Sequence, residues 1–193
     1  MDKISLPRGK YDIIYADPPW TYKAWSKKGE GRTASHHYDV MVDEDIYNMP
    51  VQKIANDNCI LLLWVTFPKL IEGIETMKRW GFTYKTCAFA WIKTNKKFNT
   101  KQFTFLPEDS FSSFWGMGYW TRANAELCLL GTVGKPKRVS KSVHQVIYEP
   151  IERHSKKPDC VRDKIVELCG DLPRIELFAR QKTPGWVTWG NEV

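Results

Sequence analysis

The chain predicts an α/β protein with a doubly wound sheet, and three observations carry that reading. Apolar runs of strand length at residues 13–16, 59–65 and 82–93 alternate with segments of helical spacing. The first run stops abruptly at Asp17-Pro18-Pro19-Trp20, placing a rigid turn where open α/β sheets hold their ligands, at the carboxyl end of a strand. The 193 residues, 42% hydrophobic and 26% charged, suit one domain with a substantial core, 1–193.

The first strand, Tyr11-Asp-Ile-Ile-Tyr-Ala16, ends at the prolines because neither can donate a ladder hydrogen bond. The turn offers a carboxylate on Asp17, proline carbonyls with no competing amide donors, and the flat indole of Trp20. A planar base bearing an amino group uses all three. Asp17 and the Pro18 carbonyl accept from the exocyclic NH2, and the indole stacks on the ring. The alternative is a strand-ending turn whose Trp20 belongs to the core.

Residues 23–37, including Lys27-Lys-Gly-Glu-Gly-Arg-Thr33, lack apolar periodicity and read as a loop beside the site. Short helices are expected at 42–49, with Asp43-Glu-Asp45 in the first turn, and at 51–56. The run Cys59-Ile-Leu-Leu-Leu-Trp-Val65 reads as a central parallel strand. Residues 69–80 carry Leu70, Ile74 and Met77 at helical spacing, and Gly81 stops the helix before the strand at 82–93.

Between 94 and 120, Lys96, Lys97 and Lys101 are interleaved with Phe98, Phe103, Phe105, Phe111, Phe114, Trp115 and Trp120. That mixture suits phosphate contacts and base stacking; packing of the rings onto the sheet is the alternative. Strands at 125–133, 143–148 and 174–180, and a helix opened by Lys157-Pro-Asp159 and stopped by Gly170, complete the alternation.

The net charge of +7 favours a polyanionic partner. No Gly-x-Gly-x-x-Gly follows a strand, and neither a Walker phosphate loop nor a Gly-x-Ser-x-Gly elbow is present. His36, His37, His144 and His154 lack metal-site spacing, so no metal is expected. The five cysteines form no Cys-x-x-Cys pair and read as reduced thiols of a cytoplasmic protein. The first residues do not read as a signal peptide, and no apolar run reaches membrane-spanning length.

Several segments together resemble the MT-A70 family of S-adenosylmethionine-dependent adenine N6-methyltransferases. They are Ala16-Asp-Pro-Pro-Trp20, Tyr38-Asp-Val-Met41, Leu62-Leu-Trp-Val-Thr66, Trp91-Ile-Lys-Thr-Asn95, Gly118-Tyr-Trp-Thr-Arg122, Glu126-Leu-Cys-Leu-Leu-Gly131, Ser155-Lys-Lys-Pro-Asp159, Ile175-Glu-Leu-Phe-Ala-Arg180 and Trp186-Val-Thr-Trp-Gly-Asn191. They occur in family order and span almost the whole chain. The resemblance implies a Rossmann-like class I methyltransferase fold with the circularly permuted, β-class motif order.

It further implies that Asp17, Pro18, Pro19 and Trp20 form the catalytic turn. Asp17, Lys157, Glu176, Arg180, Asn191 and Glu192 would contact S-adenosyl-L-methionine, and Tyr38, Trp91, Asn95 and Lys96 the substrate base. An ordinary Glu176–Arg180 ion pair is the alternative for those two residues. Glu192 stands where some relatives carry an amide. The loops at 23–37 and 94–117 are expected to grip the nucleic acid. The compact chain looks like a bacterial or bacteriophage member, so the implied substrate is DNA, with RNA or a non-catalytic nucleic-acid-binding role as alternatives. A homodimer or a related methyltransferase subunit is the implied partner.

Overall fold

The computed structural model describes residues 5–22, 40–95, 116, 120–152 and 156–193. The loop expected at 23–37 lies outside them, as does most of the one expected at 94–117, and with them Tyr38 and Lys96. In chain order the elements are β1 (Tyr11–Ala16), α1 (Asp43–Tyr47), β2 (Ala55–Val65), α2 (Leu70–Arg79), β3 (Thr83–Thr94), β4 (Ala125–Val133), β5 (Val146–Pro150), α3 (Cys160–Cys169), β6 (Arg174–Leu177) and β7 (Val187–Trp189).

The strands form one sheet in the order β5-β3-β4-β2-β1-β6-β7. β1 sits near its centre, parallel to β2 on one side and to β6 on the other. Among the described residues only β4 is reversed, antiparallel to both β2 and β3. The strand at 59–65 is therefore central, as expected, but only half parallel. β3 follows α2 in the chain yet docks one place away from β2, and β4 fills the gap. Its apolar side chains suit a buried strand running either way, so the local pattern does not encode direction.

Alternation along the central strands divides the core between the two faces. Ile14 and Ala16 of β1 pack with Leu61, Leu63 and Val65 of β2 in one buried cluster, which also holds Ile46 of α1 and Met77 of α2. Ile13 and Tyr15 pack with Ile60, Leu62 and Trp64 in the other, which holds Val161, Ile165 and Cys169 of α3. Helices thus cover both faces, the doubly wound arrangement the sequence predicts. α2 approaches the sheet closely at Gly73, where a Cβ would lie 2.3 Å from Val65 Cγ1. Gly170 ends α3 at φ 91°, a conformation that favours glycine.

Three expected elements differ. Residues 51–56 are not a helix; a single 3-10 turn, Val51–Lys53, leads straight into β2, whose Ala55 already pairs with Tyr11. The strand expected to reach Arg180 stops at Leu177, because Phe178 turns the chain at φ 61°. α3 starts at Cys160, with Asp159 as its cap, and not at Lys157. No helix among the described residues is long and apolar enough to cross a membrane.

Candidate active site

Six strands point their carboxyl ends to one edge of the sheet, and the reversed β4 delivers its first residues there. Asp17 leaves β1, Glu176 lies beside it near the end of β6, and Glu126 opens β4. Lys157 arrives from the segment before α3. An open cleft of about 530 Å³, solvent included, lies at this edge; Asp17, Lys157, Glu176, Phe178, Arg180 and Glu192 are on its walls.

The proline turn is held by its own backbone. Trp20 N–H donates to the Pro18 carbonyl at 2.9 Å, and Met41 N–H to the Pro19 carbonyl at 3.0 Å. The carbonyls are thus not without amide donors, as the sequence implied, although each oxygen keeps a second lone pair. The Trp20 ring is buried at 4% exposure, and its Nε1 donates to the Trp64 carbonyl at 3.1 Å. This is the core placement given above as the alternative: the indole anchors the turn to β2. Trp91 is likewise a core residue, with Nε1 bonded to the Glu149 carbonyl at 2.8 Å and its ring edge-on to Trp64. Composition flags such rings as surplus but does not say which way they face.

Asp17 is one end of a largely buried charge cluster, its own side chain part-exposed toward the cleft. Lys157 Nζ donates to its Oδ2 at 2.8 Å and lies 3.3 Å from Glu126 Oε2. Glu126 Oε1 in turn accepts from Lys93 Nζ on β3. Burial raises the Asp17 pKa above the ordinary aspartate value, and the neighbouring Glu126 and Glu176 add to the rise against the opposing pull of Lys157. For Glu126 burial also acts upward, but Lys157 and Lys93 together outweigh it and hold the carboxyl below its usual range. Burial acts to lower the Lys157 pKa, but Asp17 and Glu126 outweigh it and raise it.

Glu176 is gripped in a fork by Arg162 of α3, Nε to Oε2 and Nη2 to Oε1, both at 2.7 Å. Its partner is therefore not Arg180, which pairs with Glu192 Oε1 at 2.7 Å. The fork occupies one lone pair on each Glu176 oxygen and leaves the others for hydroxyl donors. Tyr15 joins the two halves of the site: its hydroxyl accepts from Trp64 Nε1 at 2.6 Å, and its ring lies 6.0 Å from the Arg162 guanidinium.

The structure thus brings together Asp17, Pro18, Lys157, Glu176, Arg180 and Glu192. Asn191 is exposed just beyond β7, and Asn95 is exposed at the end of β3. The sequence reading gave no role to Lys93, Glu126 or Arg162. Glu126 had a signal, as the one charged residue in the apolar run 125–133.

The sheet order, its one reversed strand and an acid-lined cleft at the strand ends make a Rossmann-like α/β fold with its site at the carboxyl edge, as the resemblance implies. Residues 11–192 match the MT-A70 family, and the chain belongs to it. This is a family of methyltransferases that use S-adenosylmethionine as methyl donor. The chain is 32% identical to the Type II methyltransferase M.MunI of Mycoplasma sp, the match covering 97% of this chain and 80% of that protein. It is 26% identical to the human N(6)-adenosine-methyltransferase catalytic subunit METTL3 over 96% of this chain but only 28% of that protein. The N(6)-adenosine-methyltransferase MT-A70-like protein of Drosophila melanogaster is 27% identical, with 96% and 27% covered.

The cleft fits that donor. Asp17 is a carboxylate for a cationic centre, Glu176 has spare acceptor capacity for a hydroxylated ring, and Phe178 gives an apolar wall.

Proposed function

We propose that this methyltransferase acts on the N6 amino group of adenine in DNA, with Asp17 as the acceptor that positions that group. The observation that carries the reading is Asp17 itself, a carboxylate fixed by a two-proline turn and by Lys157 at the mouth of the cleft that fits the methyl donor. The adenine N6 reaction accords with the names of the N(6)-adenosine relatives. DNA is favoured because the chain is more similar to the Type II methyltransferase, at 32% identity, than to the adenosine enzymes, at 26% and 27%. The charge of +7 supports a polyanionic substrate of either kind.

Adenine N6 is a weak nucleophile because its lone pair is delocalised into the ring. When bound, S-adenosylmethionine supplies an electrophilic methyl group. The protein's part is alignment. A carboxylate has about four acceptor directions, so Asp17 holds Lys157 with one and an amino hydrogen with another. The second lone pair of the Pro18 carbonyl takes the other amino hydrogen. Two acceptors on two N–H bonds leave the nitrogen lone pair aimed out of the base plane. Asp17 then takes the proton that the product amine sheds. A base stacked in a duplex cannot reach this edge, so the target is flipped out or single-stranded.

Glu176, oriented by Arg162, accepts from the donor's ribose hydroxyls, with Arg180, Asn191 and Glu192 around the nucleoside end and Lys157 toward the methionine end. Tyr38, Asn95 and Lys96 serve the base and its strand. The enzyme works in the cytoplasm, as a homodimer or beside a related methyltransferase subunit.

The test is methyl transfer from labelled S-adenosylmethionine to duplex DNA, single-stranded DNA, RNA and free nucleosides, followed by nucleoside digestion and mass spectrometry. N6-methyladenine from DNA is expected. Label in RNA alone, or on cytosine, overturns the substrate; no label anywhere despite donor binding points to the non-catalytic alternative.

A further inference from the structure

Beyond the residues that line the cleft, the molecule holds a buried chain of alternating charge that begins at Asp17 and runs away from it. It passes from Asp17 to Lys157, to Glu126 and to Lys93, through contacts of Lys157 Nζ with Asp17 Oδ2 at 2.8 Å and with Glu126 Oε2 at 3.3 Å. Lys93 Nζ closes it on Glu126 Oε1, the other oxygen of the same carboxylate. The Lys157 and Glu126 side chains are 12% and 11% exposed, so neither exchanges its partner for water cheaply. Lys93 is the last member. Its ammonium is steadied by the Trp91 ring, 5.2 Å away, and its backbone N–H donates to the Asn124 carbonyl at 2.7 Å, which fixes β3 against the start of β4.

Lys157 thus stands between two carboxylates that compete for it. It lies nearer Asp17, and Glu126 can let it do so because Glu126 has a second cation of its own. We propose that Lys93 is a positioning residue of the methyl-transfer site: by holding Glu126 from the far side, it leaves Lys157 on Asp17 and so keeps Asp17 ionised and in place. The inference rests on the reading of Asp17 as the acceptor for the amino group.

The sign of the effect follows from the charges. Asp17 is faced by Lys157 from the segment before α3, by Glu126 and Cys128 from β4 and by Glu176 from β6. Arg162 of α3 is committed to Glu176. Removing the Lys93 charge leaves Glu126 with Lys157 as its one cationic partner among the described residues, and Lys157 shifts toward it. Asp17 then loses attraction from Lys157 and from the more distant Lys93 together. Both losses favour its protonated form, so the acid limb of the pH–rate profile moves to higher pH.

The experiment measures kcat and KM against pH for the wild type, Lys93→Met, Lys93→Arg, Glu126→Gln and the double variant Lys93→Met/Glu126→Gln. The substrate is the polymer that the wild type methylates, and circular dichroism checks folding. For Lys93→Met the acid limb of kcat rises by about half a pH unit or more. The KM for S-adenosylmethionine changes less than about threefold, and Lys93→Arg restores the wild-type limb. In the Glu126→Gln background, Lys93→Met adds a clearly smaller shift, because the path through Glu126 is already cut and only the direct loss of the distant Lys93 charge remains. Should Lys93→Met not fold, Lys93→Gln, which keeps a donor to Glu126 and loses the charge, serves in its place. A uniform loss of rate at every pH, an unmoved limb, or an equal shift in the Glu126→Gln background overturns the proposal. A wild type that puts no methyl on adenine N6 overturns instead the function on which it rests.

Discussion

Lys157 Nζ donates to Asp17 Oδ2 at 2.8 Å, joining groups 140 residues apart in sequence. The contact makes Asp17 part of a charge cluster and not a lone acid in a pocket. Burial raises its pKa while Lys157 opposes the rise, and the residue keeps a proton to higher pH than an exposed aspartate does. The ionised form is the acceptor. Transfer therefore falls as pH drops through this raised value, and the acid limb of the wild-type profile lies above about 3.9. Initial rates from pH 4 to 9 check it, and a limb at or below the ordinary aspartate value contradicts it.

Replacing Asp17 by Asn keeps its size and removes its charge. An amide carries no charge and spends its nitrogen as a donor, so one neutral oxygen is left to accept from both Lys157 and the amino hydrogen, more weakly than a carboxylate does. Transfer should fall by about 10²-fold or more. Thermal unfolding should change little, since the burial cost of the carboxylate and its attraction to Lys157 leave together and Lys157 keeps Glu126. Near-normal turnover by Asp17→Asn would remove Asp17 from the mechanism.

Arg162 and Glu176 form the other buried pair, with side chains 11% and 9% exposed. Truncating Arg162 to Leu leaves the carboxylate buried without its fork, which costs about 3 kcal/mol in urea unfolding. Glu176→Gln keeps most of the shape but weakens hydroxyl acceptance, so affinity for S-adenosylmethionine should fall about tenfold in calorimetry, a change of about 1.4 kcal/mol. Unchanged affinity would mean that Glu176 serves only to hold α3 on the sheet.

How far these sites were legible depends on whether a residue's surroundings are local. The apolar runs of β1 and β2 and the proline turn gave away the sheet edge, and Asp17 and Glu176 stand where such strands end. Lys93, Glu126 and Arg162 depend on which strand lies beside which. β4 enters between β2 and β3 in reverse, and nothing in Ala125–Val133 announces its direction. The cross-strand meeting of Lys93 with Glu126 was therefore out of reach, although a lone acid in an apolar run was visible. Trp20 and Trp91 show a different limit: the motif that holds an aromatic does not say which way its ring faces, and both rings lie in the core.

Glu126 also ties stability to pH. Its pKa is lower folded than unfolded, so its stabilising share is present above the unfolded carboxyl value of about 4.3 and is lost as pH falls through the folded one. The melting temperature of Glu126→Gln should lie below that of the wild type at neutral pH. The gap should narrow as both are titrated below about pH 4. A gap constant down to pH 3 would assign the loss to packing and not to charge.

Gly73 tests the helix–sheet contact that sets the other face. Glycine inside α2 costs helix propensity of about 1 kcal/mol against alanine, so Gly73→Ala on an open helix would stabilise. Here the added methyl meets Val65 Cγ1 at 2.3 Å, with Leu129 Cδ1 at 3.6 Å behind it. Val65 is buried at the end of β2, one residue from Trp64, whose carbonyl anchors Trp20. Overpacking of about 1–3 kcal/mol should exceed the propensity gain, leaving Gly73→Ala less stable in urea unfolding. Coupling through Trp64 should also lower methyl transfer by Gly73→Ala, whereas Gly73→Ala combined with Val65→Ala, which removes the clashing methyls, recovers most of that activity. A more stable Gly73→Ala would show that α2 can lift from the sheet without disturbing the turn.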